Sequence, residues 1–167
     1  FVMSTRKPAV AGQFYGGTQA ECLAEIAECL PAHDLKMELP DPIVAAIVPH
    51  AGWVFSGELA AMAFKAIRQV NKEVDTFILF GAAHRYFGGG AVVDDSDSWQ
   101  TPMGIVEIDA ELAEQIVAKG AIANTDAHRG EHSIEVQVPF IQHLFPTAKI
   151  VPVLVPVADF DHTFGAH

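Results

Sequence analysis

Ile43-Val-Ala-Ala-Ile-Val-Pro-His-Ala-Gly-Trp-Val-Phe-Ser-Gly57 is the stretch on which the fold class turns. Its opening run, Ile43 to Val48, is unbroken, apolar and rich in β-branched side chains, the composition of a strand covered on both faces of a parallel sheet. Pro49 lacks the N–H that a ladder needs and ends the strand. His50 then stands at the carboxyl end, and Gly52 gives the backbone room to turn. Ser56 is the expected N-cap of a helix in which Leu59, Met62, Ala63, Ala66 and Ile67 recur at helical spacing. The local order is therefore strand, histidine loop, helix. Ligands of open α/β sheets collect at such carboxyl ends, so His50 is a candidate site residue, with an ordinary loop histidine as the alternative.

A second unit repeats the first. Thr76-Phe-Ile-Leu-Phe80 reads as another buried strand, and Gly81-Ala-Ala-His84 brings a second histidine to its end. Two strands joined by a helix form a right-handed crossover that leaves both carboxyl ends on one sheet edge. Neighbouring strands lie about 4.8 Å apart, close enough for His50 and His84 to share one metal ion. Histidine pairs also arise without a shared role, but two delivered in the same way are more telling than either alone.

The third informative stretch is Asp126-Ala-His-Arg-Gly-Glu-His-Ser-Ile-Glu-Val-Gln-Val-Pro-Phe-Ile141. His128, Glu131, His132 and Glu135 crowd the expected start of a helix whose apolar face is Ile134, Val138, Ile141 and Phe145. At i, i+3 spacing His132 and Glu135 would point the same way, and Pro139 would bend the helix from inside. This is not the HExxH metal motif. Acidic groups suit a helix N-terminus, which accounts for Glu131 and Glu135, but a cationic His132 does not. A neutral His132 acting as base, acid or ligand fits better, with Glu135 and His128 as candidate binding residues beside it.

The remaining chain sets limits. Its 167 residues suit one domain, residues 1–167, with a single core. Half the residues are hydrophobic, yet the apolar runs are too short to span a bilayer and no signal peptide is evident, so the expectation is a cytoplasmic protein. A formal net charge of −11 argues against nucleic acid or an anionic membrane as partner. Cys22 and Cys29 share one helix face about 10 Å apart along the axis, too far for a disulfide. That helix opens with a Thr18/Glu21 capping box and is stopped by Pro31. Gly88-Gly-Gly90 lacks the spacing of a phosphate loop. Ala91 to Val93 reads as a short strand, Asp94, Asp95 and Asp97 as a solvated acidic turn, and Trp99 to Gly104 as a turn before an edge strand at Ile105 to Ile108. Asp109 caps a helix ending near Ala118. Lys149 to Val155 reads as a third buried strand whose Pro152 suggests an edge or an irregularity. No further strand or covering helix is expected over Asp159 to His167, and such a sheet is open to completion by a second copy, as a homo-oligomer.

Ala11-Gly-Gln-Phe-Tyr15, Pro49-His-Ala-Gly-Trp-Val-Phe-Ser-Gly57, the Gly81 to His84 turn, Trp99 to Gly104, Glu131-His-Ser-Ile-Glu135 and Ile150-Val-Pro-Val-Leu154 occur in the order seen in the Memo-like family. Nearly the whole chain resembles this family, whose bacterial and archaeal members are called AmmeMemoRadiSam system protein B. The resemblance implies an α/β fold with a mostly parallel sheet and helices on both faces, like that of class III extradiol dioxygenases, which use non-haem Fe(II). It implies that His50 and His84 line a metal site, with His132 in the same pocket. This chain has Gly-Ala-Ala-His where the family has Gly-Pro-Ser-His. The family's C-terminal part, with a Ser-Asp-x-x-His block and a metal-completing cysteine, has no counterpart here, so the match is to the N-terminal part.

Two functions follow as expectations. One is a metal-dependent oxidoreductase of dioxygenase type acting on a small aromatic molecule. In it His50 and His84 would hold iron, or else copper or zinc, a carboxylate or the family's cysteine would complete the site, and His132 would move protons. Zinc hydrolysis could use the same side chains. The other is an adaptor that binds a peptide or protein in the same pocket without chemistry.

Overall fold

Lys149–Pro156 (β7) is the axis of the larger sheet: Ile150, Val151, Val153 and Leu154 are wholly buried. The structure, a computed structural model, describes residues 4–156. Thr76–Ala83 (β2) pairs with β7 in parallel along its full length, from Thr76 opposite Lys149 to Ala83 opposite Pro156. On the other side Val92–Val93 (β3) pairs antiparallel with β7, and Ile122–Ala123 (β6) adds parallel to β3, giving the order β2-β7-β3-β6.

Pro152 lies inside this sheet, not at an edge. The Pro152 carbonyl accepts the Asp94 N–H at 3.2 Å, just past the end of β3. A residue's N and O face the same side of a strand, so the missing N–H points beyond β3 and the ladder to β2 stays whole.

A smaller sheet has the order β1-β4-β5, from Thr5–Arg6 (β1), Ser98–Thr101 (β4) and Gly104–Glu107 (β5). β4 and β5 form a hairpin where a turn was expected, with Gly104 at φ 118°. Trp99, buried on β4, donates its indole N–H to Asp94 at 2.8 Å. Asp94 also accepts from Ser96 N and Thr125 Oγ1. The acidic turn is thus solvated only in part: Asp94 is fully buried, because tertiary donors replace water.

The helices are Gln19–Cys29 (α1), Trp53–Val70 (α2), Ala110–Ala118 (α3), Thr125–His128 (α4) and Val138–Leu144 (α5). α1 opens with the Thr18/Glu21 capping box, and α3 has Asp109 as its cap, as expected. Both cysteines are free, with Cys22 buried and Cys29 partly buried. α1 and α5 pack on α2, and α3 packs on β3 and β7. Among the described residues no helix is long and apolar enough to cross a membrane. The expected absence of a strand over Asp159 to His167 lies outside the described residues.

Three expectations around residue 50 are corrected. Ile43 to Val48 is no strand and is largely exposed, with Val44 at 91% and Ile47 at 100%. β-branched composition favours an extended backbone, but a strand also needs a ladder partner. Among the described residues β2 pairs only with β7, and the segment faces β2 across a cleft lined by Val44, Ile47, Ile78 and Phe80. Side chains hold it instead: Asn71 exchanges hydrogen bonds with the Ile43 backbone, and Gln137 Nε2 donates to the Pro49 carbonyl at 2.7 Å. Ser56 lies inside α2, whose N-cap is Gly52. The buried face of α2 is Trp53, Gly57, Ala60, Ala61 and Phe64, while Leu59 and Met62 are exposed, because α2 packs on α1 and α5 through its small residues.

Candidate metal centre

β2 delivers His84 one residue past its last ladder pair. Gly81 sets how closely the end of β2 meets the loop before α5: a Cβ there would lie 2.4 Å from Ile134 Cγ1 and 2.6 Å from Ser133 Oγ. Ser133 Oγ donates to the Ala82 carbonyl at 2.9 Å, fixing that approach. His50 comes from the segment held by Gln137, and His132 from the same loop as Ser133.

Three chain segments thus converge on one point. Ring centroids lie 5.3 Å apart for His50 and His84, 5.9 Å for His50 and His132, and 4.6 Å for His84 and His132. One nitrogen of each ring lies within 4.8 Å of the others. Two donors on one ion at about 2.1 Å can be no more than about 4.2 Å apart, so closing on a metal takes sub-ångström to ångström side-chain movement. Three neutral imidazoles suit zinc, copper or iron. His84 is the most exposed of the three, and His132 packs edge-on to Phe14 at 4.9 Å.

Glu131 organises this cluster. Its Oε2 accepts the His84 N–H at 2.7 Å, and its Oε1 accepts His84 Nδ1 at 2.9 Å, His132 N at 2.7 Å and Ser133 N at 2.9 Å. Burial alone would raise its pKa, but the hydrogen bonds from Ser133, His84 and His132 outweigh it and hold the carboxyl at about 2. For His132, burial is the largest influence and pushes the pKa down; Glu131 opposes this, while His84, His50 and Arg85 add to it. His132 is accordingly neutral at pH 7, whether it serves as ligand or base.

The other two candidates from the sequence stand elsewhere. Glu135 is fully buried and pairs with Arg6, while Tyr15 Oη, Ala9 N and Val10 N donate to it. Arg6 also donates to the carbonyls of His128 and Glu131 and lies over the Trp99 ring at 4.1 Å. His128, also fully buried, meets the Val92 carbonyl through Nε2 and packs edge-on to Trp99. Burial pushes its pKa down, chiefly against the pull of Asp94. Both residues tie the N-terminal strand to the core, and neither joins the three imidazoles.

One long helix from residue 131 is corrected as well. Glu131 and His132 lie outside any regular element, Ser133 and Ile134 form a turn, Glu135–Gln137 is one turn of 3-10 helix, and Pro139 occupies the first turn of α5, where no kink arises. His132 and Glu135 therefore point to different places. Among the described residues no carboxylate joins the metal-ligating group; the third member is His132. Sequence reasoning missed Glu131 as a site residue, although an acidic residue directly before His132 was the available signal.

The family model described as "Memo-like protein" matches residues 6–166. MEMO1 family proteins of Caldivirga maquilingensis and Thermococcus onnurineus are 42% and 43% identical to the chain over 92% of its length. That of Pyrococcus abyssi is 43% identical over 93%. The aligned regions cover 57%, 54% and 55% of those relatives, so the chain spans little more than half their length. With the His50, His84 and His132 blocks all inside the matched residues, the chain belongs to the Memo-like family.

Proposed function

We propose that this chain binds a divalent metal ion between His50, His84 and His132 and contributes these residues to a metal-dependent oxidoreductase site. The convergence of three imidazole nitrogens within 4.8 Å of one another, from three separate segments, carries this reading. When bound, the ion would supply Lewis acidity and, if it is iron or copper, electron transfer to a dioxygenase-like reaction. His50 and His84 would hold it. His132, kept neutral by burial, would either complete the ligand set or take the proton of a phenolic hydroxyl. Phe14, edge-on to His132, offers an apolar wall for an aromatic ring.

Elemental analysis of protein purified without added metal, beside a His50→Ala/His84→Ala variant, tests the site. Stoichiometric iron, copper or zinc lost in the variant supports it, and no metal in either protein sinks it. His132→Ala separates the two uses of that residue, since a ligand's loss weakens metal retention and a base's loss does not. Oxygen uptake with catechols on the Fe(II)-loaded chain, no greater than that of the His50→Ala control, would remove the oxygenase step. The adaptor reading draws on the exposed Val54 and Phe55 at the start of α2. It gains ground if the metal test fails.

A further inference from the structure

We propose that Glu131 is a positioning residue that holds His84 as the Nδ1–H tautomer, leaving Nε2 as the nitrogen this ring offers to the cluster. The proposal deepens the metal reading by naming what fixes one donor atom. Three of the four hydrogen bonds to this carboxylate come from the backbone N–H groups of His84, His132 and Ser133. A backbone N–H can only donate, so both carboxylate oxygens act as acceptors. The ring nitrogen 2.9 Å from Oε1 must then bring a proton, which puts the hydrogen of neutral His84 on Nδ1. His132 Nδ1 lies 3.3 Å from the same oxygen, so one carboxylate stands behind two of the three rings.

The anchoring is stiff as well as directional. The Glu131 side chain is 2% exposed, whereas that of His84 is 40% exposed and would sample several rotamers without a partner. The His84 N–H and ring reach the two oxygens of one carboxylate, which restricts χ1 and χ2 together. A ligating histidine whose second nitrogen is hydrogen-bonded to a carboxylate is pre-oriented and more basic, and loss of such a partner costs about 10–100-fold in metal affinity.

The experiment reads the tautomer directly. Long-range 1H–15N correlation spectra of the metal-free, 15N-labelled chain above pH 8 are recorded for all eight histidines, with a His84→Asn variant assigning the resonance. The Nδ1–H pattern for His84 is expected in the unaltered protein. An Nε2–H pattern, or the averaged shifts of two exchanging tautomers, would overturn the proposal. In Glu131→Gln the His84 shifts are expected to move to the exchange average, with cobalt(II) affinity falling about 10–100-fold. A folded Glu131→Gln protein with unchanged His84 shifts also overturns it. If that variant does not fold, the spectrum of the unaltered chain still decides. Cobalt(II) bound by neither folded protein refutes the metal reading, while the tautomer remains an independent result.

Discussion

Arg6 and Glu135 show how much a single buried residue can hold. Glu135 takes the Arg6 guanidinium, a tyrosine hydroxyl and two backbone N–H groups, so its removal leaves several buried donors unpaired. Breaking such a pair from one side costs about 3–5 kcal/mol. Glu135→Ala is therefore expected to shift the urea midpoint strongly downward, with an effect on metal binding only as the fold is lost. Glu131 makes a pH prediction. Its folded pKa of about 2 lies below the ordinary glutamate value of 4.5, so its stabilisation is fully present above pH 4.5 and is lost as pH falls through 2. At 1.36 kcal/mol per unit this amounts to roughly 3 kcal/mol. Urea titrations of the unaltered chain between about pH 6 and pH 2 should show that loss, and Glu131→Gln should show a flatter profile over the same range.

At the scale of elements, the approach of β2 to the loop carrying His132 depends on Gly81. Gly81→Ala forces a Cβ into Ile134 and Ser133, and overpacking of this kind costs about 1–3 kcal/mol. Cobalt(II) affinity should fall with it, whereas Gly89→Ala, with nothing within 4 Å of the added carbon, should leave both unchanged. Elements specified by neighbours in sequence were readable: the Thr18/Glu21 box, the Asp109 cap and the long apolar run of β7 each carry their own signal. The meeting of His50 with His84 was readable too, from two histidines each set after an apolar run, although only one of those runs is a strand. Two kinds of feature were hidden. The burial of Asp94 has no local signal, because its donors Trp99 and Thr125 are supplied only by the tertiary fold. The segment from Glu131 carried a helical apolar spacing, but the Glu131 carboxylate turns back onto the N–H groups of His132 and Ser133, and that local competition displaces a helix start.

Across the whole molecule, the charge of −11 works against the folded state by self-repulsion. Raising sodium chloride from about 20 mM to about 300 mM shortens the screening length severalfold, so the thermal midpoint should rise. A fall would mean that local ion pairs such as Arg6 with Glu135 outweigh the global field. The segment before His50 bears on a different property. It is held at Ile43 by Asn71 and at Pro49 by Gln137, and its intervening amides enter no backbone hydrogen bond among the described residues. Among the described residues, an elastase-type protease, which favours small apolar residues, should therefore cut first between Val44 and Ile47. Because the Gln137 anchor lies on the His50 side of that cut, a nicked chain should keep the His50 imidazole in place: covalent continuity through Ile43 to Val48 and the position of His50 are separate properties of this fold.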